Sequence, residues 1–332
     1  MNFAAAAGWS ERPPGHGVDI DLQMQWDEAV TTFTRPEPVV YEANIGDATV
    51  ELHRGTGFIA SSDELHVRLS TVLSVKEDIK LGEVRDKWVV PLYDLLSFFW
   101  LKNPGVVWVR VQLAEGAGSA QVHYGGRLAS ADESYKPPMS ERLAQLATQG
   151  YSFEHLIRGY WQWREGGYGR ALELLIESQD PQLDESLQAR LLNAFKSVEW
   201  YVRTQTGTSD RVKIAKVLEQ ILDDAGQIGA HIRDMWQARG QQPFGNSIAR
   251  IRNNYIAHEQ SGIIAETTRS QDEPLDQYWH LVALQWLLRR TYLQAMGIDA
   301  EDATDLVASS LGYTKDRRAI REHYQKSKNP IP

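Results

Sequence analysis

Arg252 and His258 stand six positions apart in Ile251-Arg252-Asn253-Asn254-Tyr255-Ile256-Ala257-His258, which pairs a fixed cation with a titratable imidazole. An arginine stays charged at any physiological pH and holds a phosphate oxygen in a planar fork, whereas histidine is the side chain whose ordinary pKa lies near neutrality. Such a pair can carry out phosphodiester chemistry without a metal ion. Six residues make about one and two-thirds helical turns, so the two side chains do not share one face of a regular helix. They converge only if the helix ends or bends between them, and Ser261-Gly262 supplies an end. Asn253 stands directly after Arg252.

Composition alone produces about one or two cases of an Arg four to six residues ahead of a His in a chain of this kind. Besides Arg252 and His258, Arg12 precedes His16 within that range, and Arg317 and Arg318 precede His323 in the same way. Asn253, the loop that follows and the long apolar helix beyond it set the Arg252–His258 match apart. The competing reading is a surface helix end whose Arg and His are solvated. Lys315 to Lys328 is a local basic region with Lys315, Arg317, Arg318 and Arg321 among its cations. Together with Arg250 these are candidate phosphate contacts, against the reading of a solvated basic tail.

The elements that must position these residues follow from composition and pattern. With 332 residues and 42% hydrophobic content the chain is long enough for two domains. The absence of Cys excludes disulfides, a thiol nucleophile and a thiolate zinc site. A net charge of −9 argues against a general nucleic-acid coat protein and leaves room for a local basic site. Met1 to Gly17 lacks a leader pattern, and the longest apolar run, Trp88 to Leu101, is too short to span a membrane and contains Asp94. A cytoplasmic protein with no membrane segment is expected.

The first 35 residues read as irregular structure around a short turn at Met24 to Thr31. Strands are expected over Val39–Asn44, Ala48–His53, Gly57–Ala60, Leu65–Leu73, Val106–Leu113 and Ala120–Tyr124, with an apolar helix over Pro91–Leu101. Gly55-Thr56-Gly57-Phe58-Ile59-Ala60 loosely imitates a dinucleotide-binding glycine loop but opens no amphipathic helix, so a β-turn is the better reading. His53, His66 and His123 lack close ligand spacing, and neither a metal nor a cofactor is expected. Gly125 to Ser140 is the candidate boundary, beyond which strand signals stop.

Helices are expected at Ser140–Thr148, Phe153–Arg164 and Arg170–Ser178, then at Asp184–Thr204 on the stripe Leu191, Ala194, Phe195, Val198 and Val202. Glu199 lies beside that stripe and can approach a site. Further helices run to Leu222 from a Ser209 or Asp210 cap, over Ile228–Arg239, and through the Arg252 segment from an Asn246 or Ser247 cap. A long helix, Leu275–Met296, with one buried face, and two shorter ones, Ala300–Leu311 before Gly312 and Arg317–Gln325, complete the set. Trp161 and Trp163 could stack bases, although core packing is the better reading.

Four segments carry a resemblance in their order. They are Val90-Pro91-Leu92-Tyr93-Asp94-Leu95-Leu96-Ser97-Phe98-Phe99 ahead of the Val107-Trp108-Val109 strand, Trp161-Gln162-Trp163 to Leu174-Leu175, Leu191-Leu192-Asn193-Ala194-Phe195-Lys196-Ser197-Val198-Glu199, and the Ile251 to His258 segment. The chain resembles the ApeA-like antiphage defence proteins, which join a β-rich N-terminal domain to a C-terminal HEPN domain. The resemblance covers most of the chain after residue 40. It implies an α+β protein with a β-rich sensing or regulatory domain at 1–140, a connecting helical segment at 141–180 and an all-α HEPN-type bundle at 181–332.

The same resemblance implies a metal-independent endoribonuclease in abortive infection, working as a homodimer, with tRNA as the expected target and a phage-encoded trigger. It places catalysis on Arg252 and His258 with Asn253 in support. The family spacing of four to six intervening residues is met by the five that stand here. RNA supplies its own nucleophile, the 2′-hydroxyl, so the expected reaction leaves a 2′,3′-cyclic phosphate and a 5′-hydroxyl. Arg250, Lys315, Arg317, Arg318 and Arg321 become the expected RNA-binding residues. The alternative is a non-catalytic HEPN module that binds RNA or a partner.

Overall fold

The computed structural model describes residues 2–3, 21–26, 29–34, 39–60, 65–100, 106–112, 118–122, 150–179, 186–207, 213–237, 243–261 and 273–328. It describes side chains over 40–52, 73–99, 109–112, 118–122, 150–179, 186–207, 213–237, 243–253 and 276–323. The chain is an α+β protein, mostly helical, with its antiparallel sheet near the N-terminus. It divides into two compact units: Met1–Leu96 with Asn103–Pro137 and Gln145–Arg158, and Gly159–Pro332 with Ser97–Lys102 and Pro138–Ala144.

The first unit contains β1 (Asn2–Phe3), β2 (Asp21–Trp26), β3 (Ala29–Thr34), β4 (Val39–Ile45), β5 (Ala48–Ala60) and β6 (Leu65–Lys76). Then come α1 (Leu81–Val84), a π turn (Arg85–Val89), α2 (Val90–Trp100), β7 (Val106–Gln112) and β8 (Ser119–Val122). The main sheet has the order β4-β5-β6-β1-β7-β8, and β2 pairs with β3 separately. The expectation of irregular structure is thus corrected at residues 2–3, 21–26 and 29–34, the described ones among the first 35. Asn2 pairs with Val72 and Trp108 across its two neighbours, and Asp21 to Trp26 pair in register with Thr34 to Ala29.

Strand β5 also corrects the turn expected at Gly55 to Ala60. It is continuous, with Gly55 opposite Ser70 and Gly57 opposite Arg68. Pairing along β6 supplies ladder hydrogen bonds through the glycines, and this outweighs their poor strand preference. Alternation then sets the core face: Ala43, Val50, Leu52 and Leu73 are buried, paired as Ala43 with Val50 and Leu52 with Leu73, while Glu42 and Asn44 are exposed. Glu51, on the other face, is buried and ion-paired with Lys76 of β6.

The helices are α3 (Phe153–Trp163), α4 (Gly169–Gln179), α5 (Leu187–Thr206), α6 (Ile214–Asp224), α7 (Gly226–Gln237), α8 (Phe244–Ser261), α9 (Glu273–Ala295), α10 (Ala300–Ser309) and α11 (Leu311–Lys328). A π turn, Arg164–Tyr168, joins α3 to α4. Helix α5 starts later than Asp184 because Ser186 caps it, its hydroxyl accepting from Ala189 N at 3.2 Å. Gly312 does not follow a helix end but lies in the first turn of α11. Ser310 is extended and accepts from Tyr313 N at 3.2 Å, capping α11 directly after α10. Helix α7 begins at Gly226, two residues before Ile228, and Ser209, Asp210, Gly240 and the helix expected at Ser140–Thr148 lie outside the described residues.

Helix α9 is buried nearly all round from His280 to Leu293, not along one face. Its polar residues survive there because each finds a partner. Tyr292 Oη lies 2.6 Å from Ser197 Oγ, which donates to Ala171 O at 2.6 Å, so the tyrosine donates to the serine. Gln285 donates to Ser178 O at 2.8 Å, and Arg290 to Thr304 Oγ1 at 3.1 Å and Ala300 O at 3.2 Å. The Trp236 indole donates to His280 Nε2 at 2.9 Å, while His280 Nδ1 faces Asp276 O at 2.7 Å. Both contacts hold this buried ring neutral with its proton on Nδ1. Trp161 and Trp163 are buried, Trp163 stacking on Tyr168 at 5.5 Å, so they serve packing.

His231 on α7 lies 3.0 Å from Tyr313 Oη on α11. Burial, with Arg317 nearby and Asp234 opposing, holds the imidazole below its ordinary pKa. Burial likewise pushes the Tyr313 phenol up to about 12. The folded protein therefore favours the neutral ring. The resulting stability is full above the unfolded value of about 6.5 and is lost as pH falls through the lowered folded value. The melting temperature should decline on that acid side, and His231→Gln should flatten the decline. Parallel pH profiles for the two proteins would refute this contribution.

Candidate functional site

Helix α8 carries the Arg252 segment, and its start is set by tertiary structure. The expected caps, Asn246 and Ser247, lie inside the helix, which begins at Phe244. The carboxylate of Glu219 on α6 instead accepts from Gly245 N at 2.8 Å, placing negative charge at the positive end of the α8 dipole. Gly245 makes this approach possible, because a Cβ there would lie 2.5 Å from Ala215 O of α6. Glu219→Ala should destabilise the protein by about 1–2 kcal/mol, the usual cost of losing a cap. A urea midpoint unchanged from wild type would show that the cap contributes nothing.

Arg252 is drawn against α5. Its Nη2 donates to Glu199 Oε1 at 2.6 Å, with side chains 22% and 17% exposed, and its Nη1 makes a longer contact of 3.3 Å to Asn253 Oδ1. A guanidinium has five N–H donors. With two engaged, the rest can take a phosphate while Glu199 fixes the fork. Asn253 is exposed and Arg250 is exposed one turn earlier on α8.

The helix ends where the sequence placed its end, at Ser261, and it neither ends nor breaks between Arg252 and His258. Six residues along it turn the chain by about 600°, leaving the two positions about 120° apart around the axis and about 9 Å apart along it. Within one chain they therefore start from different faces of α8. The side chain of His258 lies outside the described residues.

The Arg–His match at His323 has a different environment. His323 Nε2 lies 3.1 Å from Asp276 Oδ1 of α9, and Arg318 Nε donates to Glu322 at 2.9 Å. Lys315, Arg318 and Arg321 are exposed on α11, and Arg317 is half-buried beside Tyr313 and His231. Helix α11 packs on α7 and α9, whereas α8 packs on α6, α5 and α7. The described contacts do not bring these basic residues to Arg252.

Glu199 was visible in the sequence only as a residue beside an apolar stripe; its bond to Arg252 makes it part of the site. Trp200, next to it, was not singled out. It is 44% exposed, unlike the buried Trp161 and Trp163, and its position off the α5 stripe was the available signal. Among the described residues no three His, Asp or Glu side chains cluster as metal ligands would, and no helix is long and apolar enough to cross a membrane. The side chains of His53 and His66 and the whole of His123 lie outside the described residues. No family model matches the chain, and neither a curated protein nor a solved structure matches it.

Proposed function

We propose that the chain is a metal-independent endoribonuclease of the HEPN type, acting as a homodimer in abortive-infection defence, with tRNA as its substrate class. The observation that supports this reading most is Arg252: a guanidinium held on one side by Glu199, with donors to spare, on the helix that also carries His258. Arg252 binds the phosphate and offsets the charge of the crowded phosphorane, and Asn253 adds a polar contact. His258 takes the 2′-hydroxyl proton as the 2′-oxygen attacks phosphorus. The bond to the 5′-oxygen then breaks, and that oxygen leaves with a proton.

The turn between Arg252 and His258 supports the dimer. Residues on different faces of one helix can meet when a second copy packs across a twofold axis, where each site takes an Arg and a His from the pair. Two imidazoles would then supply a base for the 2′-hydroxyl and an acid for the leaving oxygen. The N-terminal unit is the sensing half, answering a phage-encoded trigger.

The test is incubation of the purified full-length protein with total bacterial RNA in EDTA, with the product ends mapped. Cyclic-phosphate and 5′-hydroxyl ends are expected, and a 2′-deoxy sugar at the cut site should block cleavage. Cutting that needs a divalent metal, or turnover on an all-deoxy strand, would discard the mechanism. The Arg252–Glu199 pair also favours a second reading, in which the arginine ties α8 to α5 in a non-catalytic module. RNA binding with no cleavage, with or without phage-infected lysate, would select it.

A further inference from the structure

The solvent side of α5 carries an exposed indole between two cations. Lys196, Trp200 and Arg203 are all exposed, and their spacings of four and three residues set them in one row along the helix. The row faces away from the buried residues Leu191, Ala194, Phe195, Val198 and Val202, so core packing does not account for an indole there. Glu199, which holds Arg252, lies at the edge of the row.

The indole is anchored at its edge, where Nε1 donates to Gly167 O of the π turn at 3.2 Å. Nearly half of it, 44%, remains in water. Among the described residues neither Lys196 nor Arg203 has a carboxylate partner, and neither lies over the indole. The charge of Glu199 is matched by Arg252, which leaves exposed Glu165 of the π turn as the nearest acidic residue in sequence to the Gly167 anchor. A chain of net charge −9 thus has here two uncompensated cations flanking a pre-oriented aromatic ring. Single-stranded nucleic acid is bound by this combination, with cations on the phosphates and an aromatic face under a base.

We propose that this α5 face binds a single-stranded RNA segment, one base stacking on Trp200 and the adjoining phosphates meeting Lys196 and Arg203, and leads the strand to Arg252. The choice of RNA rests on the nuclease reading; the binding face itself does not. Because every base has a stacking face, the preference is for an unpaired strand and not for a sequence.

The experiment is fluorescence anisotropy of a labelled 2′-O-methyl RNA twelve-mer, which lacks the attacking hydroxyl, titrated with the full-length protein and variants. Trp200→Ala should weaken binding roughly 5- to 150-fold, and Trp200→Phe should restore most of it. Replacing Lys196 and Arg203 together by Gln should lower the slope of log affinity against log salt by about 1.4. Equal affinity in wild type and Trp200→Ala overturns the proposal, as does no binding by wild type up to about 10⁻⁴ M. So does a Trp200→Ala protein that changes its sedimentation but not its RNA affinity, because the face would then be a contact between copies. Trp200-dependent binding without cleavage in EDTA would sink the nuclease and leave the face standing. Cleavage whose KM ignores Trp200→Ala would do the reverse.

Discussion

Gly159→Ala is expected to lower the melting temperature by roughly 6–12 °C, the equivalent of about 3 kcal/mol in a unit of this size. Gly159 lies on α3 where it meets the chain just beyond α9. A Cβ at this position would stand 2.0 Å from Met296 O and 3.1 Å from Met296 C. The obstructing atom is a backbone carbonyl, so no rotamer change relieves it and the two segments must separate. Separation would open the packing of Tyr160, Trp161 and Trp163, all buried beside this contact in sequence. Gly82→Ala, where nothing lies within 4 Å of the added carbon, is the matched control and should melt like wild type. Equal melting of Gly159→Ala would mean that α3 and the end of α9 do not approach this closely.

His258→Ala should reduce RNA cleavage by about 10²- to 10⁴-fold, the usual contribution of a general acid or base, while leaving the fold and the dimer intact. This follows from the proposed nuclease reading. Arg252→Ala should cost about 10²- to 10³-fold through lost stabilisation of the phosphorane. That variant also strips Glu199 of its partner, so it needs a folding control. In Arg252→Lys the charge remains but the fork is lost, and most of the activity should go with it. Mixing His258→Ala with Arg252→Ala protein gives a sharper test. If the site spans two copies, the mixture recovers part of the activity that neither variant has alone. Full activity of His258→Ala by itself would remove the histidine from the chemistry and favour the non-catalytic reading.

Local pattern was enough for most elements and poor at their ends. The stripe from Leu191 to Val202 places α5 on the right residues, and the alternation around Val109 places β7. The errors share one cause. Gly55 and Gly57 read as a turn because β6 is invisible to a window of a few residues, yet it supplies their pairing. Asn246 and Ser247 read as caps because Glu219, the group that meets the α8 N-terminus, lies on another helix. Helix α9 read as one-faced, with Gln285 on the buried face, because Arg290 lies off that face and is polar, although Thr304 and Ala300 complete its hydrogen bonds inside.

The sequence by itself determined that the chain is α+β, with its strands in the N-terminal part, and that Arg252, Asn253 and His258 share one helical segment. Residue type and spacing are enough for this, since helix and strand periods are local properties of the chain. Only the tertiary structure decided what stands beside Arg252. Glu199 is 53 positions away and reaches it because α5 packs on α8. It also decided which tryptophans are in water, burying Trp161 and Trp163 and leaving Trp200 exposed. Burial and partnership depend on which faces meet in space, and residues distant in the chain make those faces.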